Sequence, residues 1–358
     1  MNCLAFDIGG ANLKFSDGIS RTGAVQFALW QSPNRLAEML RGILAPFPQD
    51  AVIGVTMTGE LADCFPAKSA GVQHILAAFC EAVGDRAVRV YRVDGSWAHP
   101  DAARAEPLLA AASNWHALAR FVGRYVPSGS ALLLDLGSTT CDLIPLVDGR
   151  PAALGRTDTQ RLLAGELVYT GIERSPVCAV VGQVPYRGRL CPVAQELFAT
   201  MRDVYLVLGE LPEQPDDTQT ADGRPATRSA AVARLARVIC ADETEFGEHD
   251  AHEIAAAAAD AQTALLSAAF RHVARRLDAP RSPLPPRPDS CLGETRPRVS
   301  AAGLSVVLSG HGDCLARRVL ARVEHAGEVI SLVDQLGGEA SRGATAYALA
   351  TLLREECE

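Results

Sequence analysis

FDIGGANLKF, residues 6–15, joins an apolar run to an aspartate, two glycines, a short polar turn and a lysine. Taken alone, Asp7-x-Gly9 followed by Gly10 reads as a tight hairpin leaving a strand. Its glycines let backbone N–H groups come close to an anion. A second stretch, LLLDLGSTTCDL at 132–143, repeats the layout of LAFDIGGANLKF at 4–15. Asp7 aligns with Asp135, Gly9 with Gly137 and Gly10 with Ser138. A chain built of two related halves produces such an echo. A third element comes late, where a buried strand, the Gly310-x-Gly312 turn and a helix follow one another in LSVVLSGHGDCLARRVL, 304–320.

Around these marks the first third alternates strands and helices. Strand-like runs lie at 3–8, 13–16, 24–30, 51–57 and 88–93, and helical periodicity at 35–44, 71–83 and 101–125. Ser32 followed by Pro33 reads as a helix start. VPSGS at 126–130 is a turn-rich break. Further on, 196–210 and 230–246 read as helical, 251–277 as a long alanine-rich helix, 278–303 as a proline-rich loop and 328–334 as a strand. The expected division is an N-terminal domain over 1–128 and a C-terminal domain over 129–339 with a helical insertion. The closing helix, 340–358, is expected to return to the first domain.

The chain has 358 residues, 48% of them hydrophobic and 21% charged, enough for two domains of about 100–200 residues each. A net charge of −8 and the absence of a basic tract speak against a nucleic-acid partner. No apolar run reaches the ~18–20 residues needed to span a bilayer, so no membrane partner is expected. The N-terminus enters a strand directly, which predicts a cytoplasmic protein. The ten cysteines form no CxxC pair and read as buried, reduced thiols. His249 and His252 in EHDAH read as a solvated helix start, not a metal site. Only two of the 34 basic residues are lysines, Lys14 and Lys68, and both sit beside the motifs that matter. A compact ammonium in an arginine-dominated chain suggests a point charge is wanted there.

Two Asp-x-Gly hairpins and a late glycine turn resemble the superfamily of actin, sugar kinases, acetate kinase and heat-shock chaperones. The resemblance implies an α/β fold: two related actin-like, ribonuclease-H-like domains with a central cleft. In that layout the hairpins hold phosphate and the late turn approaches adenosine. Longer motifs narrow the family. TGELADCF (58–65) with Lys68 beyond it leaves a buried strand. ASNWHALA (112–119), GRTDTQRLLAGELVYTG (155–171), ELFATMRDVYLVLG (196–209) and ADGRPATR (221–228) follow. Together they resemble the methanofuran-biosynthesis condensing enzymes, a hydantoinase/oxoprolinase-like family linked to tetrahydromethanopterin C1 metabolism.

That resemblance implies a transferase. It would join an aminomethyl-furanmethyl diphosphate to the phenol of γ-glutamyltyramine, or of a bacterial tyrosine-type analogue, and release pyrophosphate. The partners expected are therefore a furfuryl-type diphosphate and a phenolic acceptor; a homodimer is left open. Asp7 and Asp135 are expected to hold Mg²⁺ as cofactor. Gly9, Gly10, Asn12, Gly137, Ser138, Thr139 and Thr140 are expected to line the diphosphate, and Lys14 to reach it as a point charge. Glu60, Asp63 and Asp142 are candidate bases for the phenol proton. Lys68 and Arg156 are candidates to grip a phosphate or carboxylate, and Gly310 and Gly312 either contact a ligand or only pack a helix. Glu166, Tyr169 and Arg224 are further contact candidates. The alternatives are an ATP-dependent small-molecule kinase or hydantoinase-like hydrolase on the same fold, and a non-catalytic nucleotide-sensing protein.

Overall fold

Cys3, Ala5 and Asp7 share one face of the first strand, β1 (Cys3–Ile8), and Leu4, Phe6 and Ile8 share the other. Every residue of β1 is buried, so both faces must be covered. The computed structural model, which describes residues 2–278 and 303–358, shows how.

The first sheet is built from β1, β2 (Asn12–Ser16), β3 (Thr22–Gln26), β4 (Val52–Met57), β5 (Val88–Tyr91) and β6 (Trp97–Ala98), in the order β3-β2-β1-β4-β5-β6. Strands β1, β2 and β3 are an antiparallel meander, and β4 and β5 run parallel to β1. Helices α1 (Leu36–Leu44) and α2 (Lys68–Val83) supply Leu36, Leu40, Val72, Ile75 and Phe79 to a core with Leu4, Phe6 and Ile8. The expected helix over 101–125 is broken by Pro107 and by Ala112, which has positive φ. It becomes α3 (Pro100–Ala105), α4 (Pro107–Ala110), α5 (Asn114–Val122) and a 3-10 turn.

The second sheet repeats the first. β7 (Ser130–Leu136) is antiparallel to β8 (Cys141–Val147), which also pairs with β9 (Arg150–Pro151) and β10 (Leu167–Val168). A separate hairpin, β11 (Gln183–Tyr186) and β12 (Arg189–Pro192), stands apart. Strands β13 (Ser305–Gly310) and β14 (Val329–Ser331) lie parallel to β7. The order β10-β8-β7-β13-β14 reproduces β3-β2-β1-β4-β5 strand for strand. This is the pair of actin-like, ribonuclease-H-like α/β domains expected from the two hairpins.

Helices α6 (Asp158–Leu163), α7 (Val177–Val180), α8 (Met201–Val207), α9 (Arg228–Arg237) and α10 (Glu248–Asp278) belong to the second half. Val204, Leu235, Ile254 and Phe270 from three of them pack with Leu132, Leu134 and Leu136 of β7. α11 (Asp313–Arg322) follows the glycine turn; α12 (Leu332–Leu336) replaces the second part of the strand expected over 328–334. α13 (Gly338–Arg342) and α14 (Ala344–Cys357) close the chain.

α5 and α14 form a layer between the two sheets. Trp115 and Leu118 of α5 and Ala344 and Ala348 of α14 pack with Ala131 and Leu133 of the second sheet. Leu349, Ala350 and Leu352 of the same α14 pack with Ala5 of the first. Alanine along α14 lets one helix approach both sheets. Gly54 serves the same closeness, since a Cβ there would stand 3.2 Å from Leu353.

The expectation that the cysteines are buried needs correcting. Among those described, Cys3 and Cys141 are buried, Cys64 and Cys240 are exposed and the rest are half-buried, all as free thiols. Both exposed thiols sit in turns, Cys64 ahead of α2 and Cys240 after α9, where apolar flanks do not enforce burial. His249 and His252 sit in the first two turns of α10, with His249 exposed. The loop expected over 278–303 lies almost wholly outside the described residues. Among those residues no helix is long and apolar enough to cross a membrane.

Candidate active site

Strand alternation aims two carboxylates at the middle layer. Asp7 shares the face of β1 that carries Ala5, and Asp135 the face of β7 that carries Ala131 and Leu133. Asp7 is 3% exposed. Its Oδ2 accepts from the Thr345 hydroxyl of α14 at 2.5 Å and from Asn114 Nδ2 of α5 at 3.5 Å. Its Oδ1 is buried and has no partner among the described residues. The motif SNWH thus acquires a meaning residue by residue. Ser113 shares a hydrogen bond with Thr56 of β4 at 2.6 Å, Asn114 reaches Asp7, and Trp115 lies beneath a guanidinium described below. His116 Nδ1 meets the Tyr91 hydroxyl at 2.9 Å, and its burial pulls its pKa down to about 4.

The two hairpins close identically. Gly9 N–H donates to the Asn12 carbonyl at 3.0 Å and Gly137 N–H to the Thr140 carbonyl at 2.9 Å. A Cβ on Gly9 would come within 2.9 Å of that Asn12 oxygen, whereas Gly10 faces open space. Asp7 stands opposite Lys14 in the register, and Asp135 opposite Asp142. Burial, and then the nearby Asp142, push Asp135 up to about 6; Ser309 and the Lys14 ammonium pull the other way. Lys14 of the first half therefore acts on the carboxylate of the second. Asp142 itself is engaged by Arg161, a guanidinium only 2% exposed that stacks 4.3 Å above the Trp115 ring. Ser138, Thr139 and Thr140 are half-buried at the tip. Against this tip presses the end of the GELVYTG motif: a Cβ on Gly171 would meet Ser138 and Thr139 backbone at 2.5 Å.

Glu60 is buried as well, at 1% exposed, with both carboxylate oxygens lacking a partner in any other described residue. Burial, helped by Asp158 and Asp7, raises its pKa to about 7 against the pull of its own backbone N–H and of Lys68. Gly71 makes room for it, since a Cβ there would strike the Glu60 carbonyl oxygen at 2.2 Å. Lys68 spans the halves to Asp158 at 3.4 Å, and Asp158 lies 3.7 Å from Arg161. Asp63, three residues on from Glu60, is exposed.

The hydantoinase/oxoprolinase family model matches residues 52–284, about two thirds of the chain. The chain belongs to the hydantoinase/oxoprolinase family. Within it, the chain is similar to the (4-{4-[2-(γ-L-glutamylamino)ethyl]phenoxymethyl}furan-2-yl)methanamine synthase of Methanocaldococcus jannaschii, with 34% identity over 244 residues covering 67% of this chain and 72% of that protein. The synthase of the same name from Methanococcus vannielii is 34% identical over 137 residues, 38% of this chain and 61% of that one. Among solved structures, an inorganic polyphosphate/ATP-glucomannokinase from Arthrobacter sp. strain KM is 14% identical, with 99% of each chain covered and a TM-score of 0.46.

The family-matched segment also holds residues whose contacts are structural. Glu166 is fully buried; it accepts from the backbone of Leu154 and Gly155 and from Arg276, which fixes the loop before α6. Tyr169 is 64% exposed. Arg156 is exposed, and its charge acts on His116 of α5. Arg224 pairs with Asp222 in its own loop. Outside that segment, Gly310 (φ +85) and Gly312 pack on Leu136, whose carbonyl oxygen would stand 2.1 Å from a Cβ at 310. Their need for glycine is explained by this approach of β13 to β7. Residues that pattern reading missed are Thr345 and Arg161. Thr345 lies far away in sequence, and Arg161 reads as one more arginine on a short surface helix.

Proposed function

We propose that this chain is a transferase that forms an aryl ether in methanofuran biosynthesis. The phenolic oxygen of γ-glutamyltyramine, or of a tyrosine-type analogue, bonds to the methylene carbon of an aminomethyl-furanmethyl diphosphate. The bond from that carbon to the diphosphate oxygen breaks, the electron pair leaves with pyrophosphate, and the phenol proton passes to a base. The names of the two similar synthases support the substrate class.

The observation that carries the reading is Glu60. It is a buried carboxylate with two unpartnered oxygens, and its pKa of about 7 sets it at the midpoint of neutral proton exchange. A phenol, with a reference pKa near ~10, needs such a base held out of water. The hairpin N–H groups and Ser138 would receive the diphosphate oxygens, and Lys14 would add a mobile positive charge.

The donors fit Mg²⁺. Asp7 offers a buried free oxygen, and no group of three His, Cys, Asp or Glu among the described residues forms a full protein cage. Mg²⁺ takes one or two carboxylates and otherwise water and phosphate oxygens. Asp7 and Asp135 would hold the ion, which when bound neutralises charge on the departing diphosphate.

The test is incubation of the purified chain with the furfuryl diphosphate and the phenolic acceptor. Pyrophosphate and ether should appear in equal amounts. Phosphorylation or hydrolysis of a candidate substrate with ADP release, and no ether product, would replace this reading with the ATP-dependent one.

A further inference from the structure

Two segments just outside the hairpins occupy matching places in the repeat. Leu29 N–H donates to the Gly10 carbonyl at 2.9 Å, and Trp30 follows it directly. Arg174 N–H donates to the Ser138 carbonyl at 2.9 Å, and Gly10 and Ser138 are equivalent in the two halves. Each hairpin thus carries a side chain at its outer lip. The Trp30 and Arg174 side chains meet between the two halves, with the Arg174 guanidinium 5.8 Å from the centre of the Trp30 ring.

The guanidinium is exposed and has no carboxylate partner among the described residues. Its basic neighbours are taken. Arg161 is held by Asp142 and Asp158, Arg202 by Asp217 at 2.7 Å, Lys68 by Asp158, and His311 by Glu173 at 3.3 Å. Among the described residues, Arg174 and Lys14 are the cations at the two hairpins left without a carboxylate partner. A cation–ring contact at this distance on an open surface is weak and exchanges readily. A guanidinium meeting a phosphate makes paired, charge-assisted bonds.

We propose that Arg174 is the specificity-determining cation for the diphosphate: it rests on Trp30 and transfers to the diphosphate oxygens when the substrate binds. This rests on the diphosphate reading above and adds a residue and a movement to it. The segment 171–174 is fixed to the second hairpin by Ile172, Glu173 and Arg174 N–H bonds to Gly137 and Ser138, so only the side chain needs to move.

Inorganic pyrophosphate with Mg²⁺ is the probe, titrated into the full chain by calorimetry and by tryptophan emission. The wild type should bind with a change in emission, and Trp30→Phe should bind while losing that change. Arg174→Gln should weaken pyrophosphate binding by about 10- to 100-fold, with Arg174→Lys restoring part of it and neither changing the melting temperature. Wild-type affinity in Arg174→Gln overturns the proposal while leaving the diphosphate site standing. Absence of pyrophosphate binding in the wild type overturns the diphosphate reading itself.

Discussion

The Thr345 hydroxyl donates to Asp7 Oδ2 at 2.5 Å although 338 residues separate the two. The last helix of the chain therefore orients a carboxylate on the first strand and leaves its other oxygen free. Asp7→Ala should abolish ether formation while the circular dichroism spectrum stays native. Thr345→Val should fold and lower kcat/KM about tenfold or more, the worth of one hydrogen bond to a charged group. Near-wild-type turnover in Asp7→Ala would end the metal and diphosphate role assigned to it.

Glu60 makes a prediction with two readouts. As a base with a pKa of about 7 it should give kcat/KM a rising limb centred near that pH. Glu60→Gln should remove the limb and cost about 10²–10⁴ in rate. Stability should move the other way. The folded pKa lies above the ordinary 4.5, so the folded chain holds the extra proton between the two values. Its stabilising effect is complete below about 4.5 and is lost as pH rises through about 7. At pH 8 Glu60→Gln should accordingly be more stable than the wild type by on the order of 3 kcal/mol. Urea unfolding at pH 5 and pH 8 checks this, and equal stability at both would show that Glu60 is not buried as described.

Lys68 and Asp158 bear on Glu60 with opposite sign. Lys68→Met should move the rising limb to higher pH, because an attraction for the carboxylate is gone. Asp158→Asn should move it to lower pH, because a repulsion is gone. Shifts in the same direction would show that another group titrates.

Gly310 is held at φ +85 with the Leu136 carbonyl oxygen 2.1 Å from where a Cβ would be. Gly310→Ala should destabilise the fold by about 3 kcal/mol or more, through strain and displacement of β13 from β7. A denaturation midpoint equal to that of the wild type would show the two strands can part there at no cost.

Much of this architecture can be read in the sequence because it is local and repeated. A hairpin whose glycine N–H returns three residues later writes itself into Asp-x-Gly, and two copies place two domains. The strand faces that aim Asp7 and Asp135 follow from alternation alone. Other parts depend on distance in the chain. Nothing near Arg161 signals that it is buried on Trp115, and nothing near Thr345 points to Asp7. Glu60 could be named from its place at a strand exit, but its lack of any partner is a property of the packed molecule. By its place in the sequence Asp142 is as well suited to proton transfer, but in the fold Arg161 holds it. The turn at Gly310 shows the converse: a pattern shared with nucleotide sites is accounted for here by the nearness of two strands.

The matching hairpins differ at one rung. Lys14 stands opposite Asp7, and at the same place in the second copy Asp142 stands opposite Asp135, neutralised by Arg161. Equal backbones thus carry unequal electrical walls. On the diphosphate reading, an anion between them meets Lys14 on one side and Arg174 on the other, so its two ends are held by different cations.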